Sequence, residues 1–277
     1  MGLRIQNNVE AFNTHRQLTA TGVQAAKSME KLSSGYRVNR AADDAAGLAI
    51  SEKMRGQIGG LAQAQRNAQD GISLVQTAEG ALNEVHSMLQ RVRDLKVQYN
   101  NGALSTDDKN AIVAEAKQLA TEIGDIRTKT AFNGINLLDA SGTTTFQVGA
   151  NEGDTISVTR SDLTGASGVT SAVADVSGGT GTTNWDALDI TEIDTAIKNV
   201  SNARSTFGAI QNRLDHRLNN LATYQENLVA SESRIRDVDM ASEMVNFTKL
   251  GILQQAGTSM LAQANQSPQG VLSLLQG

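Results

Sequence analysis

Two pairs of aspartates have the residue type and spacing that acid–base chemistry requires. The pairs are Asp43 with Asp44 and Asp237 with Asp239. Two carboxylates can act as general acid and base when their surroundings separate their pKa values. Arginines accompany both pairs in the sequence: Arg37, Arg40, Arg234 and Arg236. We therefore predict ion pairs at helix junctions in preference to an active site.

The remaining candidates for chemistry are weaker. His15, His86 and His216 are far apart in the sequence and show no HExxH spacing, so they do not indicate a zinc site. GANEGD, residues 149–154, lacks the lysine and hydroxyl residue of a phosphate-binding loop and is predicted to be a turn. The chain has no cysteine, which excludes disulfides and thiolate chemistry. We predict no catalytic residue, cofactor or metal, and an enzyme is the least favoured class.

Composition also limits the partners. A net charge of −5 provides no broad basic surface for nucleic acid. No run approaches the roughly 18 apolar residues of a membrane span. The N-terminal residues lack the apolar core of a cleaved signal peptide. We expect a chain that stays in the cytosol or leaves it by a route that needs no cleaved signal.

Apolar residues at steps of three and four predict long helices in the first half. The first series consists of Leu18, Ala25, Met29, Leu32 and Tyr36. The second consists of Val75, Ala78, Leu82, Val85, Leu89, Val92, Lys96 and Tyr99, with Lys96 as a polar interruption. NNG at 100–102 ends this helix, and STDD at 105–108 caps the next one. That third series consists of Ile112, Ala116, Leu119, Ile123 and Ile126, before FNG at 132–134.

A strict heptad repeat dominates the second half. Its members are Ile193, Val200, Phe207, Leu214, Leu221, Leu228 and Ile235, with Ile190, Ile197, Leu218 and Val238 at the companion position. This period predicts a left-handed supercoil with partner helices. About sixty helical residues span roughly 90 Å, which predicts a rod.

The middle of the chain has a different pattern. Residues 143–159 alternate around Phe146, Val148, Ile156 and Val158, which predicts a β-hairpin. Residues 161–184 are rich in Gly, Ser and Thr and are predicted to form a short surface loop or a small ribbon. The predicted fold is mainly α: an elongated antiparallel coiled-coil or helical-bundle rod formed by both chain ends, with a small central β-hairpin region.

Three segments indicate contacts with other molecules. They are the small, charged connector at 31–56, the similar SRIRDVDMASEM at 233–244, and residues 248–277, which mix apolar and amide side chains on all sides. A helix of that last kind needs neighbours to cover it. We therefore predict lateral, heterologous contacts between chains.

Several long motifs resemble those of bacterial flagellin, the subunit of the flagellar filament. They include KLSSGYRVNRAADDAAGLAI, FNGINLL, FQVGANEGDTISV, ESRIRDVDMASEMVNF and ILQQAGTSMLAQANQSPQGVLSLL. The resemblance covers nearly all of residues 1–160 and 186–277. It implies an inner tube from 1–34 and 242–277, a linking spoke from 35–46 and 237–241, and an outer-tube rod from 47–185 and 186–236. Only about 25 residues, 161–185, stand where many relatives carry outer domains, so a thin, smooth filament is expected.

The resemblance also implies contacts and partners. Spoke and inter-subunit contacts are assigned to Arg37, Arg40, Asp43, Asp44, Arg236 and Asp237. Arg91, Leu95 and Glu115 match the region that a vertebrate Toll-like receptor recognises in many flagellins. Leu95 also fits a contact between subunits. Further partners are copies of the same chain, an export chaperone, and the cap and hook-junction proteins. The expected route is export of the unfolded chain through the flagellar type III apparatus to the extracellular flagellum, where the filament serves motility.

One alternative remains open at this point. A coiled-coil binding or adaptor module, such as a flagellar hook-junction protein, has the same helical periodicity. Such a module forms a small oligomer, whereas a filament subunit forms large assemblies.

Overall fold

The structure is a computed structural model that describes residues 8–139, 141–160, 185 and 188–275, with 267–275 as backbone only. The described elements, in chain order, are α1 (Val9–Ser34), α2 (Ala45–Tyr99), α3 (Thr106–Lys129), β1 (Ala131–Phe132), β2 (Ile135–Asn136), β3 (Gly142–Gln147), β4 (Thr155–Arg160), α4 (Ile190–Arg236) and α5 (Met240–Leu275). The predicted class, mainly α with a small β-hairpin region, is confirmed. The predicted loop or ribbon at 161–184 lies outside the described residues.

The chain forms two compact units. The terminal unit contains residues 1–56 and 227–277, and the central unit contains residues 57–226. Each unit brings together stretches that are distant in the sequence.

Local signals in the sequence set several helix ends. Ser105 caps α3, and Asp108 completes a capping box with it, as the STDD motif predicts. Gly35 ends α1 in the left-handed conformation, with φ of 75°. The prediction that placed Tyr36 in the helical series was wrong, because the chain turns at Gly35 and Tyr36 instead forms an antiparallel bridge with Asp237.

The core of the central unit lies between α2, α3, α4 and the β3–β4 hairpin. Every member of the second predicted series, from Val75 to Tyr99, is buried, including Lys96. The heptad positions from Ile193 to Leu221 are also buried, whereas Leu228 and Ile235 are half-buried. The buried companions on α4 are Ala196 and Ile210; Ile197 and Leu218, predicted for that position, are partly buried and pack against the core.

Two short hairpins follow α3. The β3–β4 pairing matches Phe146 with Ile156 in antiparallel register, which confirms the predicted hairpin. Arg217 of α4 binds the turn of the β3–β4 hairpin, because its Nε donates to the Val148 carbonyl at 3.0 Å. The β1–β2 hairpin was not predicted, although its turn residues Asn133 and Gly134 have the positive φ angles that an Asn-Gly hairpin turn uses.

In the terminal unit, α1 and α5 pack along each other. The Ser28 hydroxyl donates a hydrogen bond to the Glu243 carboxylate, and the Asn8 side-chain amide donates to the Ala264 carbonyl at 2.7 Å. Gly257 lets the two helices approach closely, since a Cβ there would lie 3.2 Å from Leu18 Cδ1. Within the described part of the chain, no helix combines the length and apolarity that crossing a membrane requires.

Candidate functional site

The first pair of aspartates binds backbone groups just before and at the start of α2. Asp43 Oδ2 accepts N–H bonds from Arg40 at 3.0 Å and Asn39 at 3.3 Å. The bond from Arg40 is the main cause that lowers the pKa of the Asp43 carboxyl. Asp44 Oδ1 accepts the Gly47 N–H at 2.9 Å and so caps the helix.

In the second pair, only Asp239 binds backbone N–H groups with its side chain. Asp239 Oδ1 accepts the N–H groups of Ala241 at 2.9 Å and Ser242 at 3.2 Å, and so caps α5. Asp237 contributes its backbone to the bridge with Tyr36. The predicted ion pairs between these aspartates and their neighbouring arginines were therefore wrong within one chain. Asp43, Asp44 and Asp239 instead accept backbone N–H groups just before or at a helix start.

Three of the neighbouring arginines, Arg37, Arg40 and Arg236, instead join separate segments of the terminal unit. Arg40 Nε lies 2.8 Å from Glu30 Oε1. Arg37 donates from Nη2 to the Ile235 carbonyl at 2.6 Å, and its backbone N–H donates to the Arg236 carbonyl at 2.7 Å. Residues 35–44 of the connector are thus fixed to the end of α4.

Arg236 is the centre of this junction. Its side chain is 11% exposed, its Nη1 lies 2.6 Å from Glu52 Oε1, and its guanidinium lies 4.8 Å from the centre of the Tyr36 ring. The hydrogen bond from Arg236 is also the main cause that lowers the pKa of the Glu52 carboxyl. Sequence reasoning named Arg236 but missed Glu52, which is 184 positions away and carries no local signal.

The residues assigned to receptor contact differ in accessibility. Arg91 Nη2 and Glu115 Oε1 form an exposed ion pair at 2.6 Å, linking α2 to α3. Leu95 is 1% exposed and packs in the cluster that contains Val92. A surface contact through Leu95 does not fit this burial, so its predicted role is corrected to a core residue.

The histidines remain separate in the structure. His15 and His216 are exposed, and His86 is half-buried with Nε2 3.0 Å from Gln90 Nε2. Among the described residues, no three acidic or histidine side chains are placed to hold a metal ion.

The terminal unit has an unusual distribution of apolar side chains. Among the described residues, its buried hydrophobic residues are only Val38 and Ala264. Its exposed large hydrophobic residues are Val9, Phe12, Val23, Met29, Ile50, Val229, Met240, Met244, Val245, Ile252, Leu253 and Met260. The corresponding set described in the central unit is Val97, Ile135 and Tyr224. We call the exposed apolar residues of α1 and α5 the terminal apolar surface.

A groove between α1 and α5 adds to this surface. It has a volume of about 480 Å³ and is lined by Leu18, Leu253, Ala256, Gly257 and Met260, with threonine and glutamine residues at its edge. An exposed apolar surface of this kind marks a site of protein contact. The arrangement therefore favours burial against another protein surface over catalysis.

Comparisons with known proteins identify the family. The family model for the bacterial flagellin N-terminal helical region matches residues 5–143, and the model for the C-terminal helical region matches residues 190–275. A flagellin from Halalkalibacterium halodurans is 54% identical over 275 residues, which cover 98% of this chain and 99% of that protein. The chain belongs to the bacterial flagellin family. Flagellins are structural filament proteins, not enzymes, and this flagellin has the corresponding function.

Two further similarities complete the comparison. The flagellar filament 33 kDa core protein of Treponema phagedenis is 46% identical to this flagellin, covering 98% of the chain and 99% of the relative. A solved structure of a putative flagellar hook-associated protein from Vibrio parahaemolyticus superposes with a TM-score of 0.59, at 17% identity, over 70% of this chain and all of that one. The latter shows only a shared fold, so the hook-junction alternative is not favoured.

Proposed function

We propose that this flagellin polymerises with copies of itself through the terminal apolar surface. The observation that carries the proposal is the contrast between the two units: large apolar side chains are exposed in the terminal unit and buried in the central unit. Burial of one such side chain contributes roughly 1.5–3 kcal/mol relative to full exposure. Each side chain here is already partly covered, so single contacts contribute less, and repetition along a filament supplies the cohesion.

The proposed organisation follows the resemblance. Residues 1–34 and 242–277 form the inner tube, 35–46 and 237–241 the spoke, and 47–185 with 186–236 the outer-tube rod. The ends of α1 and α4 and the start of α5 lie near these boundaries, which supports the division.

The spoke residues have a second proposed role between subunits. Arg37, Arg40, Asp43 and Asp237 are exposed even though each has a partner within the chain. Such groups can make further polar contacts with a neighbouring chain. Asp44 and Arg236 are less exposed, so their proposed contribution is to hold the connector in shape.

We also propose the partners and location that the family implies. The unfolded chain is exported through the flagellar type III apparatus, with a chaperone on its C-terminal helical segment, and assembles outside the cell between the hook-junction and cap proteins. The exposed pair of Arg91 and Glu115 is the proposed contact for a vertebrate Toll-like receptor.

A charge placed on α5 tests the proposed self-association. Val245 and Ile252 are seven residues apart, on one face of α5, and are 69% and 65% exposed. We expect V245D/I252D to remain helical by circular dichroism but to stop pelleting after addition of filament seeds. An aspartate would require desolvation of its charge at the interface.

The control is I135D, which places one such charge at an exposed apolar residue of the central unit. It should pellet like the unmodified chain. Undiminished pelleting of V245D/I252D would contradict the proposed interface, and a small discrete oligomer of the unmodified chain would contradict filament formation.

A further inference from the structure

The terminal apolar surface contains most of the methionines of the chain. The sequence has seven methionines, and four of them, Met29, Met240, Met244 and Met260, lie on α1 and α5. These four are between 48% and 59% exposed. By contrast, Met54 and Met88 are half-buried, and Met88 packs against the core of the central unit.

Three of these methionines lie near the same contact between the helices. Ser28 donates a hydrogen bond to Glu243, so Met29 is adjacent to the α1 side of that contact. Met240 and Met244 flank Glu243 and are four residues apart, which places them on one face of α5. Met260 lines the groove between the helices, beside Leu18 and Gly257.

Exposed thioethers are the side chains on this surface that mild oxidants can modify. The Met Sδ lone pair attacks one oxygen of a peroxide, the O–O bond breaks, and the departing oxygen takes up a proton. With hydrogen peroxide the products are methionine sulfoxide and water, so sulfur loses two electrons and peroxide gains them. A sulfoxide is polar and chiral, and it disrupts apolar interfaces.

We propose that Met29, Met240, Met244 and Met260 form an oxidation-sensitive site that controls assembly. The inference rests on the proposed self-association through the terminal apolar surface. Peroxide converts the four residues to sulfoxides in the free chain, and the polar S=O groups prevent burial of the surface. Methionine sulfoxide reductases reverse the block: two thiols give up two electrons and two protons as they form a disulfide, and the oxygen leaves as water. Assembly in turn protects the four thioethers from the oxidant.

The first test compares seeded growth before and after treatment with hydrogen peroxide. The variant M29L/M240L/M244L/M260L keeps apolar side chains of similar volume but cannot form sulfoxides. The control variant M54L/M88L retains the four proposed residues. Peptide mass spectrometry confirms where oxygen has been added. Met1 is present in every chain, so its oxidation cannot explain a difference between the variants.

We expect oxidised wild type and oxidised M54L/M88L to grow at least about tenfold more slowly than the untreated chains. The four-leucine variant should keep its untreated rate. Treatment with both sulfoxide reductases should restore growth of the wild type. Wild type that carries all four sulfoxides and still grows at its untreated rate would overturn the inference.

A second measurement needs no variant and applies even if the four-leucine chain fails to assemble. Soluble and pelleted wild type are treated with peroxide, and the reaction rate of each methionine is measured. The four residues should react at least about tenfold more slowly in the pellet, with Met88 unchanged. Equal rates in both forms would overturn the inference while leaving filament formation intact. If untreated chain does not pellet on seeds, the proposed function and this inference are both wrong.

Discussion

At the scale of single residues, the paired aspartates and their neighbouring arginines do not bind each other as their spacing predicts. Asp44 and Asp239 cap α2 and α5 by accepting backbone N–H groups, so both serve local folding. Arg40 and Arg236, which precede these aspartates in the sequence, bind partners from other segments. Two kinds of contact therefore hold the connector. Carboxylates accept the unpaired N–H groups at helix starts, and guanidinium groups bind to other segments.

The Arg236–Glu52 pair predicts a dependence of stability on pH. The hydrogen bond from Arg236 lowers the pKa of Glu52 below its ordinary value of 4.5. Because the folded-state pKa is the lower one, the stabilisation is present above the unfolded-state pKa and is lost as pH falls through the folded-state value. We expect E52Q to lower the Tm at about pH 7 and to have little effect well below the folded-state pKa.

Thermal unfolding followed by circular dichroism measures this difference between wild type and E52Q. E226Q is the control, because Glu226 is an exposed glutamate of the same helix as Arg236. Its effect on Tm should be small at both pH values. A Tm difference for E52Q that does not change between neutral and acidic pH would contradict the assigned role of the pair.

At the scale of elements, a charged residue lies within the apolar seam of α2. Lys96 is 4% exposed, and its Nζ donates to the Trp185 carbonyl at 2.5 Å. The same Nζ lies 5.3 Å from the centre of the Tyr99 ring and 5.5 Å from that of Trp185. The ammonium group thus links the end of α2 to the segment that precedes α4. The carbonyl and the two aromatic rings partly compensate for the water that the buried charge has lost.

Substitution of Lys96 tests this link. We expect K96A to destabilise the central unit by about 1–3 kcal/mol, because it removes both the buried aliphatic chain and the hydrogen bond. K96M retains the apolar volume and should cost less than K96A. Trp185 is the only tryptophan in the sequence, so its fluorescence during urea unfolding reports directly on this region. Equal stability of K96A and wild type would contradict a stabilising role for Lys96.

The periodic elements were predictable because their signals are local. The heptads of α4 and the capping box at Ser105 each follow from residues within one or two helical turns. In α2, steps of three and four lead from Val92 to Tyr99 through either Leu95 or Lys96, and both residues are buried. The contact role of Leu95 follows from the resemblance alone, whereas this spacing is also compatible with a core position.

Contacts between distant segments could not be predicted in the same way. Glu52 and Arg236 become partners only after α2, the connector and α4 have come together. The same is true of Ser28 with Glu243, which are 215 positions apart. A charge or hydroxyl at either position is compatible with many partners, so composition and periodicity do not select among them.

At the scale of the whole molecule, the two units differ in where they place their apolar side chains, and a filament subunit needs both arrangements. The central unit buries its apolar series among α2, α3 and α4, so it can be stable in one chain. The terminal unit leaves comparable side chains exposed and has few buried apolar residues among those described. Its folding and its association with other copies should therefore be coupled, since both bury the same surface.

This coupling predicts how a protease attacks the free chain. Segments with few buried apolar contacts open locally at low free energy, so we expect cleavage of the soluble chain to begin in α1 and α5. The central unit should remain as a resistant fragment, detected by mass spectrometry of the digest. After seeded assembly, the same sites should become resistant because neighbouring copies cover the terminal apolar surface. V245D/I252D, which is expected to stay soluble, provides the control and should remain sensitive after addition of seeds. If α1 and α5 resist cleavage in the soluble chain as long as the central unit does, the terminal unit is stable by itself and the proposed coupling is wrong.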